Sequence, residues 1–171
     1  TAYLALGDYE ENVKKNFKEA LVQYERGKDG GQMDCMLRSA DYYIEGKGVS
    51  KDVDRGMSIL KKAAELGSPI ASYRLAANFL SAKKPDILSA YKYLLASANG
   101  NLPEAQSELG LLYLSGKMGE ADPSAGISWL TRAAQNGLAQ AQYNLAVIYE
   151  RGAGGQARNI ENAGQLYTLA A

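Results

Sequence analysis

The chain has 171 residues, 46% of them hydrophobic and 22% charged, with Lys+Arg and Asp+Glu both at 19. That is length enough for one domain with a sizeable core, a composition that excludes intrinsic disorder, and a net charge of zero that gives no global attraction to nucleic acid or an anionic membrane. No run approaches the roughly 18 apolar residues of a membrane span, a single cysteine cannot close an internal disulfide, and the lack of any histidine excludes a His-based triad and the usual zinc set.

No basic-then-apolar leader opens the sequence, and Thr1 in place of Met predicts an N-terminus removed by processing or by truncation. Residues 1–12 fit the pattern of the rest poorly. Ala5, Leu6 and Tyr9 read as the remnant of a degraded first helix, because Tyr9 stands seven residues before Asn16 as Phe79 does before Asp86. Asn16 reads as a helix N-cap, and Glu19 three residues on resembles the second half of a capping box. The same opening returns at Asp52, Asp86, Asp122 and Asn159, at steps of 36, 34, 36 and 37 residues. Pro123 follows Asp122 at the first helical position, where proline is welcome.

Counted from each cap, the fourth residue is small (Ala20, Gly56, Ala90, Gly126, Ala163) and the eighth is large (Tyr24, Leu60, Leu94, Leu130, Tyr167). The eleventh is small again (Gly27, Ala63, Ser97, Ala133, Ala170). That spacing is one face of a helix, with large residues for the core and small ones for close approach. Gly31, Gly67, Asn101 and Gly137 then stop the helix, being residues that tolerate a left-handed backbone.

A second stripe follows each stop. It runs through Cys35, Ala71, Ala105 and Ala141, then Ser39, Leu75, Leu109 and Leu145, and then Tyr43, Phe79, Tyr113 and Tyr149. It closes at Gly46, Ala82, Gly116 and Gly152. From these to the next cap is six, four, six and seven residues in turn, so length varies only in an exposed turn where insertions cost little. One helix pair cannot cover its own apolar stripe, so the pairs must stack.

The run Ala141, Leu145, Ala146, Tyr149, Gly152, then Asn159, Ala163, Leu166 and Ala170, resembles the Sel-one-like repeat (SLR), a relative of the tetratricopeptide repeat. So do Ala105 to Tyr113 and the glycine-rich turn Gly46 to Asp52. The resemblance covers roughly residues 16 to 171. Ser39 departs from the family's Leu, Asn101 from its helix-ending Gly, and Lys83-Lys84-Pro85 shortens one turn. The expected fold is all-α, a right-handed superhelical solenoid of antiparallel helix pairs with about four and a half repeats of 34–37 residues. The expected organisation is one domain, residues 1–171, with a partial repeat at 1–31, full repeats at 32–67, 68–101 and 102–137, and a last repeat at 138–171. The chain stops at Ala171 inside its last helix by register, so a longer parent chain is expected.

The resemblance implies an adaptor that binds another protein, with bacterial members exported and acting in envelope assembly, host interaction or neutralisation of a secreted effector. A periplasmic or otherwise exported location, and a secreted effector or envelope component as partner, follow from it as expectations. An envelope enzyme acting on peptidoglycan or β-lactams, and a structural spacer within a larger protein, are the alternatives.

The residues offer little catalytic chemistry. Gly46-x-Gly48 and Gly152-x-Gly154 follow helices and read as turns, whereas phosphate loops follow a strand. Cys35 occupies a small core slot with no His to activate it. Tyr24, Tyr43, Tyr93, Tyr113, Tyr149 and Tyr167 fall on core positions with no basic stripe beside them, against nucleic-acid stacking. No cofactor and no metal are expected.

In tetratricopeptide-like solenoids the first helix of each pair lines the concave surface. By register its groove positions are Asp34, Leu37, Asp41 and Glu45, then Ile70, Tyr73, Ala77 and Ser81. The next are Glu104, Ser107, Leu111 and Ser115, then Gln140, Tyr143, Val147, Glu150 and Arg151. Asp34, Asp41, Glu45, Tyr73, Ser107, Tyr143, Glu150 and Arg151 are the candidate partner-binding residues, because polar, aromatic and Arg side chains at positions the core does not need are typical anchors.

Overall fold

The computed structural model describes residues 2–171. Among them the regular structure is helical throughout, in ten helices: α1 (Ala2–Asn12), α2 (Phe17–Asp29), α3 (Met33–Glu45), α4 (Val53–Glu65), α5 (Pro69–Ser81), α6 (Ile87–Asn99), α7 (Pro103–Ser115), α8 (Pro123–Gln135), α9 (Ala139–Arg151) and α10 (Ile160–Ala170). They form two compact units, Thr1–Leu75 and Ala76–Ala171, whose boundary falls inside α5.

All five caps form as the sequence predicts. The side chains of Asn16, Asp52, Asp86, Asp122 and Asn159 accept from the N–H of Glu19, Arg55, Ser89, Ala125 and Asn162, at 2.9 to 3.2 Å. Each bond satisfies one of the orphan donors of a helix start, worth about 1 kcal/mol. At Asn16 the box is only half made, because the Glu19 carboxylate accepts from the Gln23 amide instead of reaching back. The Asn16 N–H bonds the Glu10 carbonyl.

That last bond belongs to a series. The N–H of Asp52, Asp122 and Asn159 bonds the carbonyl of Tyr43, Tyr113 and Tyr149, and that of Asp86 bonds Phe79. Each ties the start of a second helix to the aromatic position of the helix before it. In α1 that position is Glu10, not Tyr9, and Tyr9 is exposed. The first helix is therefore a full partner of α2, and its inward face carries Leu4, Gly7, Asp8 and Glu11 instead of the expected Ala5, Leu6 and Tyr9.

The eighth-position residues Tyr24, Leu60, Leu94 and Leu130 are all at most 2% exposed. Each buried Leu contributes about 1.5–3 kcal/mol relative to exposure. Small residues let the helices meet. A Cβ on Gly126 would lie 2.8 Å from the Gly110 carbonyl oxygen and 2.7 Å from the Leu114 side chain, so α7 and α8 touch through their backbones there. Cys35 is fully buried in the first unit's core beside Tyr24 and Tyr42, in agreement with a packing role. Of the six tyrosines assigned to the core, Tyr24 and Tyr43 are buried, while Tyr93, Tyr113, Tyr149 and Tyr167 remain partly exposed.

A polar cluster joins α1 to α2 and α3. The Tyr24 hydroxyl lies 2.8 Å from a carboxylate oxygen of both Asp8 and Glu11. Lys47 pairs with Glu11 and lies over the Phe17 and Tyr42 rings. Burial pushes the Glu11 carboxyl up, but hydrogen bonds from Lys47 and Tyr24 outweigh it and hold the group below its ordinary value.

Candidate partner-binding surfaces

In the first unit, α1, α3 and the first half of α5 border a groove of about 210 Å³. Its apolar floor is Leu4, Leu37 and Ile70, of which Ile70 is 43% exposed. Its charged walls are Asp34 and Asp41 on α3 and Arg74 on α5, with Asp8 and Arg38 at the α1 side. Helical spacing explains the assembly, since Asp34, Leu37, Arg38, Asp41 and Glu45 stand at 0, 3, 4, 7 and 11 along α3.

Arg74 pairs with Asp41 along the groove, and Arg38 comes within 3.9 Å of Asp8. Burial nevertheless raises the Asp41 carboxyl above its ordinary value, against the pull of Arg74, and the nearby Glu45 charge adds to the rise. Asp34 and Glu45 are exposed, and no ion pair among the described residues reaches either. Tyr73 is half-buried and lies outside the lining of this groove, which its neighbours Ile70 and Arg74 supply.

The second unit has a larger groove, about 520 Å³, beside Ile87 and bordered by Leu80, Pro85, Leu111, Leu114 and Lys117. Its origin lies in turn chemistry. In the α3–α4 turn, Gly48 sits against the start of α2, where a Cβ would fall 2.6 Å from the Phe17 carbonyl carbon. In the α9–α10 turn, Gly154 sits against Pro123 and Ile127 at the start of α8. The α7–α8 turn has Met118 where Gly48 stands in its own turn, counted from Gly116 and Gly46. Ile87, the counterpart of Phe17, borders the open groove. Ser107, a candidate partner-binding residue from the sequence, is only 6% exposed and packs beneath this face. Leu111, one turn on, is 41% exposed and does line the groove.

Further along the second unit, Tyr143 is 50% exposed and its ring tilts against that of Tyr167 at 5.5 Å. The Tyr167 hydroxyl donates to the Glu150 carboxylate at 2.8 Å, which raises the phenol above its ordinary value. Arg151 ends α9 and is exposed. Tyr143, Tyr167 and Glu150 thus form one aromatic and acidic patch, with Arg151 beside Glu150 in sequence. Tyr167 joins it because an aromatic ring takes a slot that Leu60, Leu94 and Leu130 fill elsewhere. The sequence reading missed Leu4, Asp8, Arg38 and Arg74. The only available signal was the four-residue spacing of Leu4–Asp8 and Ile70–Arg74, which appears once α1 is known to be a full helix.

Among the described residues no helix is long and apolar enough to cross a membrane. The family model described as "Sel1 repeat" matches residues 34–68, 69–102, 103–138 and 139–171. The structure is similar to a Sel1 repeat protein from Oxalobacter formigenes, with a TM-score of 0.86, 28% identity, and coverage of 97% of this chain and 68% of that one. An immunity protein from Pseudomonas aeruginosa aligns with a TM-score of 0.59 and 27% identity over 88% of this chain and 55% of that one. Among curated proteins, chitin synthase regulatory factor 3 of Schizosaccharomyces pombe is 30% identical over 92 residues, 52% of this chain. The match spans 10% of that relative's length.

Proposed function

This chain belongs to the Sel1 repeat family, and on that premise we propose that it is a protein-interaction scaffold without an enzymatic role, holding a partner protein on exposed helix surfaces, those of α1, α3 and the first half of α5 in the first unit and those of α7 and α9 in the second. The observation that carries the reading holds in each unit by itself: an exposed apolar residue borders an open groove with charged groups, Ile70 with Asp34, Asp41 and Arg74 in the first and Leu111 with Glu108 and Lys117 in the second. Apolar anchors ringed by polar groups are what protein recognition uses.

A narrower reading has support from one likeness. The similarity to an immunity protein favours a secreted effector as the partner, neutralised by being held. An exported location would agree with it.

The test is affinity capture from an extract of the source organism with the wild-type chain and with a Tyr73→Ala, Tyr143→Ala, Arg151→Ala variant of unchanged helicity. The expected result is a partner retained by the wild type and lost by the variant. A partner held equally by both moves the site away from Tyr73, Tyr143 and Arg151, and turnover of nitrocefin or muropeptides by the pure protein would overturn the non-enzymatic reading.

A further inference from the structure

We propose that the groove between α1, α3 and the first half of α5 selects a cationic segment of the partner protein, one in which a lysine or arginine stands next to an aliphatic residue. The inference rests on the scaffold reading and adds to it the chemistry of the bound segment.

The zero net charge of the chain conceals a segregation. α1, α3 and α5 together carry six acidic residues, Asp8, Glu10, Glu11, Asp34, Asp41 and Glu45, against only Arg38 and Arg74. Their partners α2 and α4 carry five acidic residues and six basic ones. α1 and α3 are therefore strongly negative while α2 and α4 are close to neutral. A field of that kind draws positive groups to one face whatever the total charge.

Within the groove the excess is not cancelled. Arg74 is engaged by Asp41 and Arg38 lies nearest Asp8, which leaves Asp34 in the lining, and Glu45 one turn beyond it along α3, without an ion-paired cation among the described residues. The raised Asp41 carboxyl agrees with this, since Arg74 alone does not offset its burial. Lysines or arginines entering from outside would gain from Asp34 and Asp41 in the lining and from Glu45 beyond it. Asp34 and Glu45 are eleven residues apart, three helical turns or about 16 Å, so a single side chain cannot span them and the groove accommodates an extended stretch carrying more than one positive charge. Leu4, Leu37 and Ile70 make the floor between these charges, and an aliphatic side chain of the same stretch would cover the exposed Ile70.

The probe is a fluorescein-labelled octapeptide of alternating lysine and valine, read by fluorescence anisotropy on the full chain. Glutamate–valine and lysine–glycine octapeptides serve as comparisons. Saturable one-to-one binding of the lysine–valine peptide is expected, with both comparison peptides weaker by at least about tenfold. Asp34→Asn with Glu45→Gln should weaken binding by about tenfold and Ile70→Ser by several fold. Asp54→Asn with Glu65→Gln, both exposed on α4, should leave it unchanged. Circular dichroism and a urea midpoint establish that each variant is folded. Equal binding of the lysine–glycine peptide, unchanged binding by the Asp34/Glu45 variant, or no binding of any peptide overturns the inference. A captured partner that depends on Tyr143 and Arg151 but not on Asp34 and Glu45 also overturns it, and leaves the scaffold reading standing.

Discussion

The Ser39 hydroxyl on α3 donates to the Glu25 carboxylate on α2, and Ser39 is fully buried. The same carboxylate lies 3.0 Å from the Lys28 ammonium and 3.5 Å from the Arg55 guanidinium, which itself stacks on the Tyr43 ring at 4.0 Å. The polar residue at an otherwise leucine position is thus matched by a charged residue on the facing helix. Ser39→Ala should cost about 1–2 kcal/mol, because a hydrogen bond to a charged group is lost while Lys28 and Arg55 remain. A double-mutant cycle with Glu25→Gln, measured by urea unfolding, should return a favourable coupling energy. Additive effects would show that the two side chains do not work together.

Gly48→Ala should destabilise the first unit by about 2 kcal/mol or more. Its φ of +67° strains any L side chain and its Cβ would strike the backbone of Phe17 and Lys18, which cannot swing aside. Gly31→Ala, at φ +76° but with nothing within 4 Å, should cost only the backbone strain, about 1 kcal/mol. Equal urea midpoints for the two variants would mean that the turn does not seat on α2.

Asn136→Ala should cost about 1–2 kcal/mol. Its amide donates to the side-chain oxygens of both Asn101 and Gln106 at 3.0 Å, while Gln106, 2% exposed, also donates to the Ala98 carbonyl. Removing Asn136 leaves the Gln106 oxygen buried without that donor. Amide hydrogen exchange should report the loss at the α6–α7 turn. No change there would show that water replaces the asparagine.

Stability should fall towards acid pH partly through Glu11. The folded carboxyl, held below its ordinary value by hydrogen bonds from Lys47 and Tyr24, releases its proton more readily than the unfolded one. Its contribution is therefore present above the unfolded value near 4.5 and is lost as pH falls through the lower folded value. Glu11→Gln should lower the urea midpoint at pH 7, and the gap from wild type should narrow below about pH 4. A gap that stays constant with pH would assign the loss to packing alone.

The sequence by itself determined the caps, the stops and the buried stripe. These are local: a cap is settled by a side chain and an N–H three residues away, and a left-handed stop by one residue's own backbone. Asp52, Asp122, Gly67 and Gly137 could therefore be placed without knowing where any helix lies. Periodicity also said which side of each helix is buried, as Leu60, Leu94 and Leu130 illustrate. It did not say which neighbour that side meets. Glu25 with Ser39, Lys47 with Glu11 and Asn136 with Asn101 are 14, 36 and 35 residues apart. Each pair exists only because two helices are laid at a particular height and angle, which no single helix encodes. The same reason hid Ser107 beneath its surface and brought Leu4, Leu37 and Ile70 to one groove floor. One-residue offsets such as Glu10 for Tyr9 turn a helix by about 100°, enough to exchange an inward face for an outward one, and only the packed structure fixed that choice.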